Sequence, residues 1–345
     1  MTRASELRKH EPRISKAGSE RQATSAMIAS LAAEGYDTVA APFGHALVEV
    51  ARRRPEIVGL SADLAKYTDL HIFAQAMPDR FYQMGMAEQA MVSAAAGLAR
   101  EGFIPFATTY AVFASRRAYD FIAMAIAEEN LPVKIVCALP GLTTGYGPSH
   151  QATEDIAIFR GLPNLTIIDP CDAVDIAQSV EAMVNHPGPV YSRLLRGKVP
   201  VVLTKYKPDY KFEIGKAQLI RDGKDALVIS SGFMTMRALD AATRLQAEGI
   251  EVAVLHSPTI KPLDTKTILA EVGRLDRPVL TAENHTIIGG LGEAVATTIL
   301  LGGLRPKFGM IGLPDDFLEA GALPTLHDMY GLSVDAVAAR IKASI

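Results

Sequence analysis

The sequence predicts an α/β protein of two doubly wound domains. Short apolar runs bounded by Gly, Pro or Asp alternate with longer Ala-rich stretches, the alternation lapses once, and it then resumes. Such alternation implies parallel sheets covered by helices on both faces. In chain order the first strand-like runs are Ile57–Leu60, Pro105–Thr108, Val133–Cys137, Leu165–Ile168 and Val190–Ser192. The stretches Ala87–Arg100 and Ala173–Val184 between them have the length and composition of helices. The lapse falls at 198–214, where Pro200, Pro208 and several lysines mark a linker. Beyond it, Ala226–Ser230, Val252–Leu255 and Pro278–Thr281 alternate with helices again. The expected organisation is a tail over 1–35, a first domain over 36–197, the linker, and a smaller second domain over 215–345. No internal repeat or low-complexity tract interrupts it.

Composition agrees with two cores and removes several function classes. A chain of 345 residues with 49% hydrophobic content can fill two domains of ~150 residues each. No apolar run reaches the ~18 residues that span a bilayer. A formal charge of −3 gives no electrostatic footprint for nucleic acid. Cys137 and Cys171 lie in or beside apolar runs, the pattern of reduced thiols in a cytoplasmic enzyme rather than a disulfide framework. The stretch 1–25 is charged and lacks an apolar core, so a solvated tail is expected there and not a secretory leader.

The residue that stands out is Glu88. In Phe81–Gln89 a strand expected to be buried turns through Gly85 into an Ala-rich helix with Glu88 in its first turn. A strand-to-helix junction of this kind lies at the C-terminal edge of a parallel sheet, where open α/β folds place their ligands. An isolated first-turn glutamate could equally serve only to complement the helix dipole.

The surrounding residues go further. The run RFYQMGMAEQAMVSAAAGLAREGFIPFATTYAVFASRRAYDFI, from Arg80 to Ile122, resembles the pyrimidine-binding module of transketolases, with Met86 in place of the usual isoleucine. A second match is GPSHQATEDIAIFRGLPNLTIIDPCDA, from Gly147 to Ala173, and a third is GGLGEAV, from Gly289 to Val295. The likeness covers about residues 37 to 345. It implies a thiamine-diphosphate-binding pyrimidine module followed by a transketolase C-terminal-like α/β domain.

That resemblance implies thiamine diphosphate as cofactor and assigns roles. Glu88 matches the carboxyl group that hydrogen-bonds the far pyrimidine nitrogen and stabilises the imino tautomer. Tyr110 and Phe113 occupy the aromatic positions around that ring, and Asp63 matches a cofactor-facing aspartate. Arg116 stands where a third aromatic is common, which would make one side of the cofactor pocket more polar. His150 matches the histidine that contacts donor-ketose hydroxyls, and Arg193 the arginine that grips the sugar phosphate through forked hydrogen bonds. Departures accompany these matches. Tyr146 replaces a hydroxyl-reading aspartate, Ala138 a phosphate-contacting histidine and Tyr67 a phosphate-binding serine, while Ala40-Ala41-Pro42 lacks an arginine. The substrate side therefore suggests a ketol transfer to or from an unusual sugar, with Lys66 or Arg116 as further anion contacts.

The Gly-Asp-Gly motif that holds a divalent metal in this family is absent; Arg221-Asp222-Gly223-Lys224 is the nearest sequence. No metal ligands are expected in this chain. The implied assembly is an α2β2 heterotetramer in which a separate N-terminal, diphosphate-binding subunit carries Mg2+ or another divalent ion. The turn from Glu283-Asn284-His285 to Gly289-Gly290-Leu291-Gly292 suggests close packing in a C-terminal domain given to dimer contacts, with a direct role for His285 less favoured. Two other readings share the Glu88 chemistry: the β subunit of a 2-oxoacid dehydrogenase, and a deoxyketose synthase using pyruvate. A third, an inactive regulatory paralogue, sits badly with the retention of Glu88, Phe113 and His150.

Overall fold

The computed structural model describes residues 35–345, so the expected N-terminal tail, but for Gly35, lies outside the described residues. The first part contributes β1 (Thr38–Ala40), β2 (Ile57–Ser61), β3 (Phe81–Gln83), β4 (Ile104–Tyr110), β5 (Lys134–Ala138), β6 (Thr166–Ile168), β7 (Val190–Leu194) and β8 (Lys198–Pro200). The second contributes β9 (Gln218–Arg221), β10 (Ala226–Ser230), β11 (Val252–His256), β12 (Thr259–Lys261), β13 (Val279–Thr286) and β14 (Phe308–Leu313). A seven-stranded sheet has the order β12-β6-β7-β5-β4-β2-β3 and a five-stranded sheet the order β14-β13-β10-β11-β9. Both are parallel except for the antiparallel edges β12 and β9.

Each sheet reads the two-residue period of its strands into two cores. Ile57, Phe106, Val136 and Ile168 face one apolar cluster, while their neighbours Val58, Ala107, Ile135 and Ile167 face the other. Helices Pro42–Ala51 and Ala173–Asn185 bury their apolar stripes on the first side, and Glu88–Arg100 covers the second. Burial on both faces explains why these strands read as continuous apolar runs and not as alternating ones. The order in which strands are added reverses around β2, since β3 lies on one side of it and β4 on the other, both parallel to it. That reversal opens a crevice at the C-terminal strand ends.

Three local features differ from expectation. Phe81–Gln83 is the outer edge strand and is not buried, with Tyr82 42% exposed. The start of the linker is ordered, because β8 pairs antiparallel with β1. From the second domain, β12 crosses over to extend the first sheet beside β6.

The domains are joined through a buried guanidinium. Arg193, on β7, is 1% exposed and clasps Asp155 with two bonds, Nε to Oδ2 at 2.9 Å and Nη2 to Oδ1 at 3.2 Å. Its Nη1 donates to Asp169 Oδ2 at 3.2 Å, and Nη2 also donates to the backbone oxygen of Asn284 on β13 at 2.9 Å. Tyr191 and Ser231 donate their hydroxyls to Asp155 and Asp169. Burial opposes the charge of Arg193, but the two carboxylates more than offset it and hold the group protonated. Gly232 (φ 51°) lets the second domain's first helix start directly against Asp169; a Cβ there would strike the carboxylate. Removing one member of a buried ion cluster strands the others without a partner. Arg193→Met is therefore expected to cost about 3–5 kcal/mol, measured as a lowered urea midpoint; an unchanged midpoint would contradict this account.

Candidate functional site

The crevice at the strand ends collects residues from three connections. After β3 the chain makes a tight turn, with Gly85 at φ 73° and the Ala87 N–H donating to the Gly85 carbonyl at 2.7 Å. Helix Glu88–Arg100 starts immediately afterwards without a side-chain cap, so Glu88 sits among the free N–H groups of its first turn. Glu88 is 4% exposed. After β4, the short helix Ala111–Arg116 presents Phe113, and Arg117 follows it. Arg117 places its guanidinium carbon 4.1 Å from the Phe113 ring centroid and its Nη1 3.3 Å from Glu88 Oε1.

The loop after β5 completes the wall. His150 meets Tyr110, Phe113 and Tyr146 edge-on, with centroid separations of 6.0, 5.5 and 5.5 Å. Its Nδ1 lies 2.9 Å from Ser149 Oγ. Partial burial, helped by the charge of Arg117, holds the imidazole below the ordinary histidine range, so it is neutral near pH 7. The structure thus brings Glu88, Tyr110, Phe113, Tyr146 and His150 together in one aromatic-walled cleft carrying a buried carboxylate and a neutral imidazole.

The remaining expected residues are placed differently. Asp63 is exposed in the loop after β2, with a left-handed backbone (φ 60°) and its N–H bonded to Gln83 Oε1 at 2.8 Å. Arg116 braces the His150 loop: Nε pairs with Glu154, and Nη1 and Nη2 donate to the carbonyls of Pro148 and Gln151. Arg193 requires a correction. Its Nε, Nη1 and Nη2 are all engaged in the domain-joining cluster and it is closed to solvent, so it cannot grip a sugar phosphate. Ala138 is buried at the end of β5.

Besides Arg117, a cation on the crevice side is Arg196, beyond the C-terminal end of β7, with its guanidinium carbon 5.4 Å from the Tyr67 ring centroid. Burial lowers its pKa, while Tyr110, Asp69, Tyr146 and Tyr67 act on it in the opposite sense. The signal in the sequence was position: a cation within a covered parallel strand is buried, and one just past its C-terminal end faces the ligand side.

Two observations bear on what adjoins this cleft. Near it, large apolar side chains are left exposed: Met86 at 80%, Met124 at 56%, Tyr82 at 42% and Phe121 at 36%. Met124 and Phe121 belong to the helical segments Tyr119–Phe121 and Ile122–Ala127, which pack against helix Glu88–Arg100. Large apolar side chains left in water are candidates for an interaction surface. Among the described residues, no group of three or more His, Cys, Asp or Glu side chains is placed to hold a metal ion, and no helix is long and apolar enough to cross a membrane.

Comparison with known proteins follows the same division of the chain. Residues 37–201 match the family described as transketolase, pyrimidine binding domain, and residues 215–337 that described as transketolase, C-terminal domain. The chain is 67% identical over 330 residues to a putative uncharacterized transketolase family protein of Sinorhizobium fredii, covering 95% of each. It is 38% identical over 293 residues to a 6-deoxy-6-sulfo-D-fructose transketolase subunit of a Clostridium species, covering 84% of this chain and 89% of that one. Among solved structures it is similar to a split gene transketolase described as an inactive β4 tetramer. The TM-score is 0.79 and the identity 39%, covering 88% of this chain and 97% of that one.

His285 lies in the adjoining domain junction with 0% exposure. Its Nδ1 donates to the Thr286 carbonyl at 2.7 Å and its Nε2 accepts from the Ala157 N–H at 3.2 Å, which fixes a neutral ring. Burial pulls its pKa to about 4. An unfolded histidine takes up its proton near pH 6.5, so between about pH 6.5 and 4 the unfolded chain is favoured by a proton that the folded chain refuses. Stability should therefore fall through that window as the pH drops, by about 2 kcal/mol between pH 7 and 5 from this group. His285→Gln is expected to remove that share of the acid loss in urea titrations at the two pH values; an identical loss in both proteins would refute it.

Proposed function

The chain belongs to the transketolase family, and from that premise we propose that it is the pyrimidine-binding, C-terminal subunit of a thiamine diphosphate-dependent ketol transferase. The observation that carries this reading is the pairing of buried Glu88 with the face of Phe113 that the Arg117 guanidinium covers, at the point where the strand order reverses. The residues fit the cofactor's ring, because the guanidinium of Arg117, a planar N–H donor, already meets both of them. When bound, thiamine diphosphate supplies an acidic thiazolium C–H and an electron sink for the broken carbon–carbon bond. Glu88 would hold a proton on the pyrimidine nitrogen it faces, fixing the tautomer whose amino group can act as a base. Phe113 and Tyr110 would stack against the ring and exclude water. His150, neutral near pH 7 and set by Ser149, would accept and return protons at the sugar's hydroxyl and carbonyl oxygens.

On the substrate side, Tyr67 and Tyr146 flank Arg196. A half-buried guanidinium framed by aromatic rings suits an anionic sugar of unusual shape. The relative named as a sulfofructose transketolase subunit supports a modified sugar. The split gene transketolase and the exposed apolar rim support a second polypeptide that binds the diphosphate and its divalent ion, in an α2β2 assembly.

The test is to co-purify the chain with its separately encoded diphosphate-binding partner and assay ketoses and pyruvate with thiamine diphosphate. Two-carbon transfer from a ketose that needs both chains is expected. Pyruvate decarboxylation, or full activity of this chain alone, would overturn the reading. In the active complex, Glu88→Gln and Glu88→Ala are each expected to lower turnover at saturating cofactor by at least about tenfold. Near-normal rates in both would remove Glu88 from its role.

A further inference from the structure

Arg117 holds the two contacts that the proposed cofactor ring requires. Its guanidinium lies over one face of Phe113 at 4.1 Å, which is stacking distance, and reaches Glu88 Oε1 at 3.3 Å. A second planar group cannot occupy the same face of Phe113 while the guanidinium is there. The two partners of the ion pair are unequal: the Glu88 side chain is 5% exposed and that of Arg117 54%. Glu88 is fixed in the first turn of a thirteen-residue helix, whereas Arg117 is the residue capping the C-terminus of the six-residue helix Ala111–Arg116. The exposed partner of such a pair is the loosely held one, and a long side chain can leave it without disturbing the backbone. A buried carboxylate left with no partner is costly, so some donor must be present whenever the ring is absent.

We propose that Arg117 is a displaceable stand-in for the cofactor's pyrimidine, occupying the ring site until the cofactor enters and then swinging out towards solvent. Arg117 thereby keeps the Glu88–Phe113 cleft formed and sets the apparent affinity for the cofactor. This rests on the reading of Glu88 and Phe113 given under Proposed function. The neighbouring Arg116 cannot take the part, because all three of its donor nitrogens are tied to the Pro148–Glu154 loop. His150 senses the same charge, since Arg117 contributes to holding its imidazole in the neutral form.

The reconstituted two-chain complex provides the test, with calorimetric titration of thiamine diphosphate and Mg2+ as the readout. A competitor filling the site for a fraction of the time weakens apparent binding by the inverse of the fraction left open. Arg117→Ala is therefore expected to lower the dissociation constant by at least about threefold and to speed association, with about fivefold corresponding to ~80% occupancy by Arg117. Arg117→Lys, which keeps the charge for Glu88 but lacks a planar group, should fall between the two. Unchanged or weaker binding by a folded Arg117→Ala complex would overturn the stand-in, because an arginine that stays beside the bound ring would be a contact and not a competitor. Absence of thiamine diphosphate binding by the wild-type complex, or binding unaffected by Glu88→Ala, would instead sink the functional reading, and this inference with it.

Discussion

The structure depends on one buried guanidinium. Arg193 can be stable in a dry interior only if carboxylates surround it, and the fold supplies Asp155 from the helix after the loop that carries His150 and Asp169 from just beyond β6. Because its last donor bond goes to the Asn284 carbonyl, the same group also fixes the second domain. Geometry at this point is demanding, since two forked bonds to Asp155 set the plane of the guanidinium and hence the direction of the other contacts. Asp155 lies only five residues beyond His150. The cluster therefore reaches the crevice without touching it, by anchoring one end of the loop that carries His150 and Tyr146.

The other end of that loop is held by the second domain. Asn284 Oδ1 accepts from the Leu142 N–H, His327 reaches the Leu142 carbonyl, and the Gly321 N–H donates to the Gly145 carbonyl. Buried Gln151 bridges the gap, its amide group donating to Thr144 and Glu319 carbonyls at 3.1 and 3.2 Å. Gly141, with φ 56°, allows the close passage against Asn284, where any side chain would collide. A C-terminal domain that seemed given to assembly contacts thus also shapes the loop opposite Glu88. A second buried network, in which Asp175 bonds Tyr210 and His256, repeats the arrangement on the far side of the junction. The two domains meet through hydrogen-bonded polar groups, which fix orientation more sharply than apolar contact alone.

How much of this was legible in the sequence follows from the range of the forces involved. Strands buried on both faces announce themselves as apolar runs, so β2, β4, β5, β7, β10 and β11 are found within a residue or two of where the sequence puts them. Three-residue β12 carries no such run; it exists because a neighbouring sheet edge is there to pair with. Motif spacing located Glu88, Phe113, Tyr110 and His150, and the fold brings them together. It failed for Arg193 and Arg196, three residues apart, because motif likeness does not register where a strand ends. Adjacent Arg116 and Arg117 show the same limit. Successive helical residues point about 100° apart, so one arginine faces the loop and the other faces Glu88, and composition alone cannot say which.

The cleft's asymmetry gives these pieces a common sense. One wall is complete, with Glu88 at its base, Phe113 and Tyr110 along its side and His150 above, all supported by backbone bonds or buried side chains. The surface beyond it is exposed and apolar, from Tyr82 and Met86 to Phe121 and Met124. A carboxylate this deeply buried, beside a rim this apolar, is a poor arrangement for a surface that stays in water, since Met86 alone is 80% exposed. The same features become favourable once a second surface closes over them: apolar area is removed from water, and the low dielectric strengthens each hydrogen bond to Glu88. Assembly and catalytic competence would then be coupled, with Arg117 partnering Glu88 in the closed cleft until the cofactor's ring takes its place.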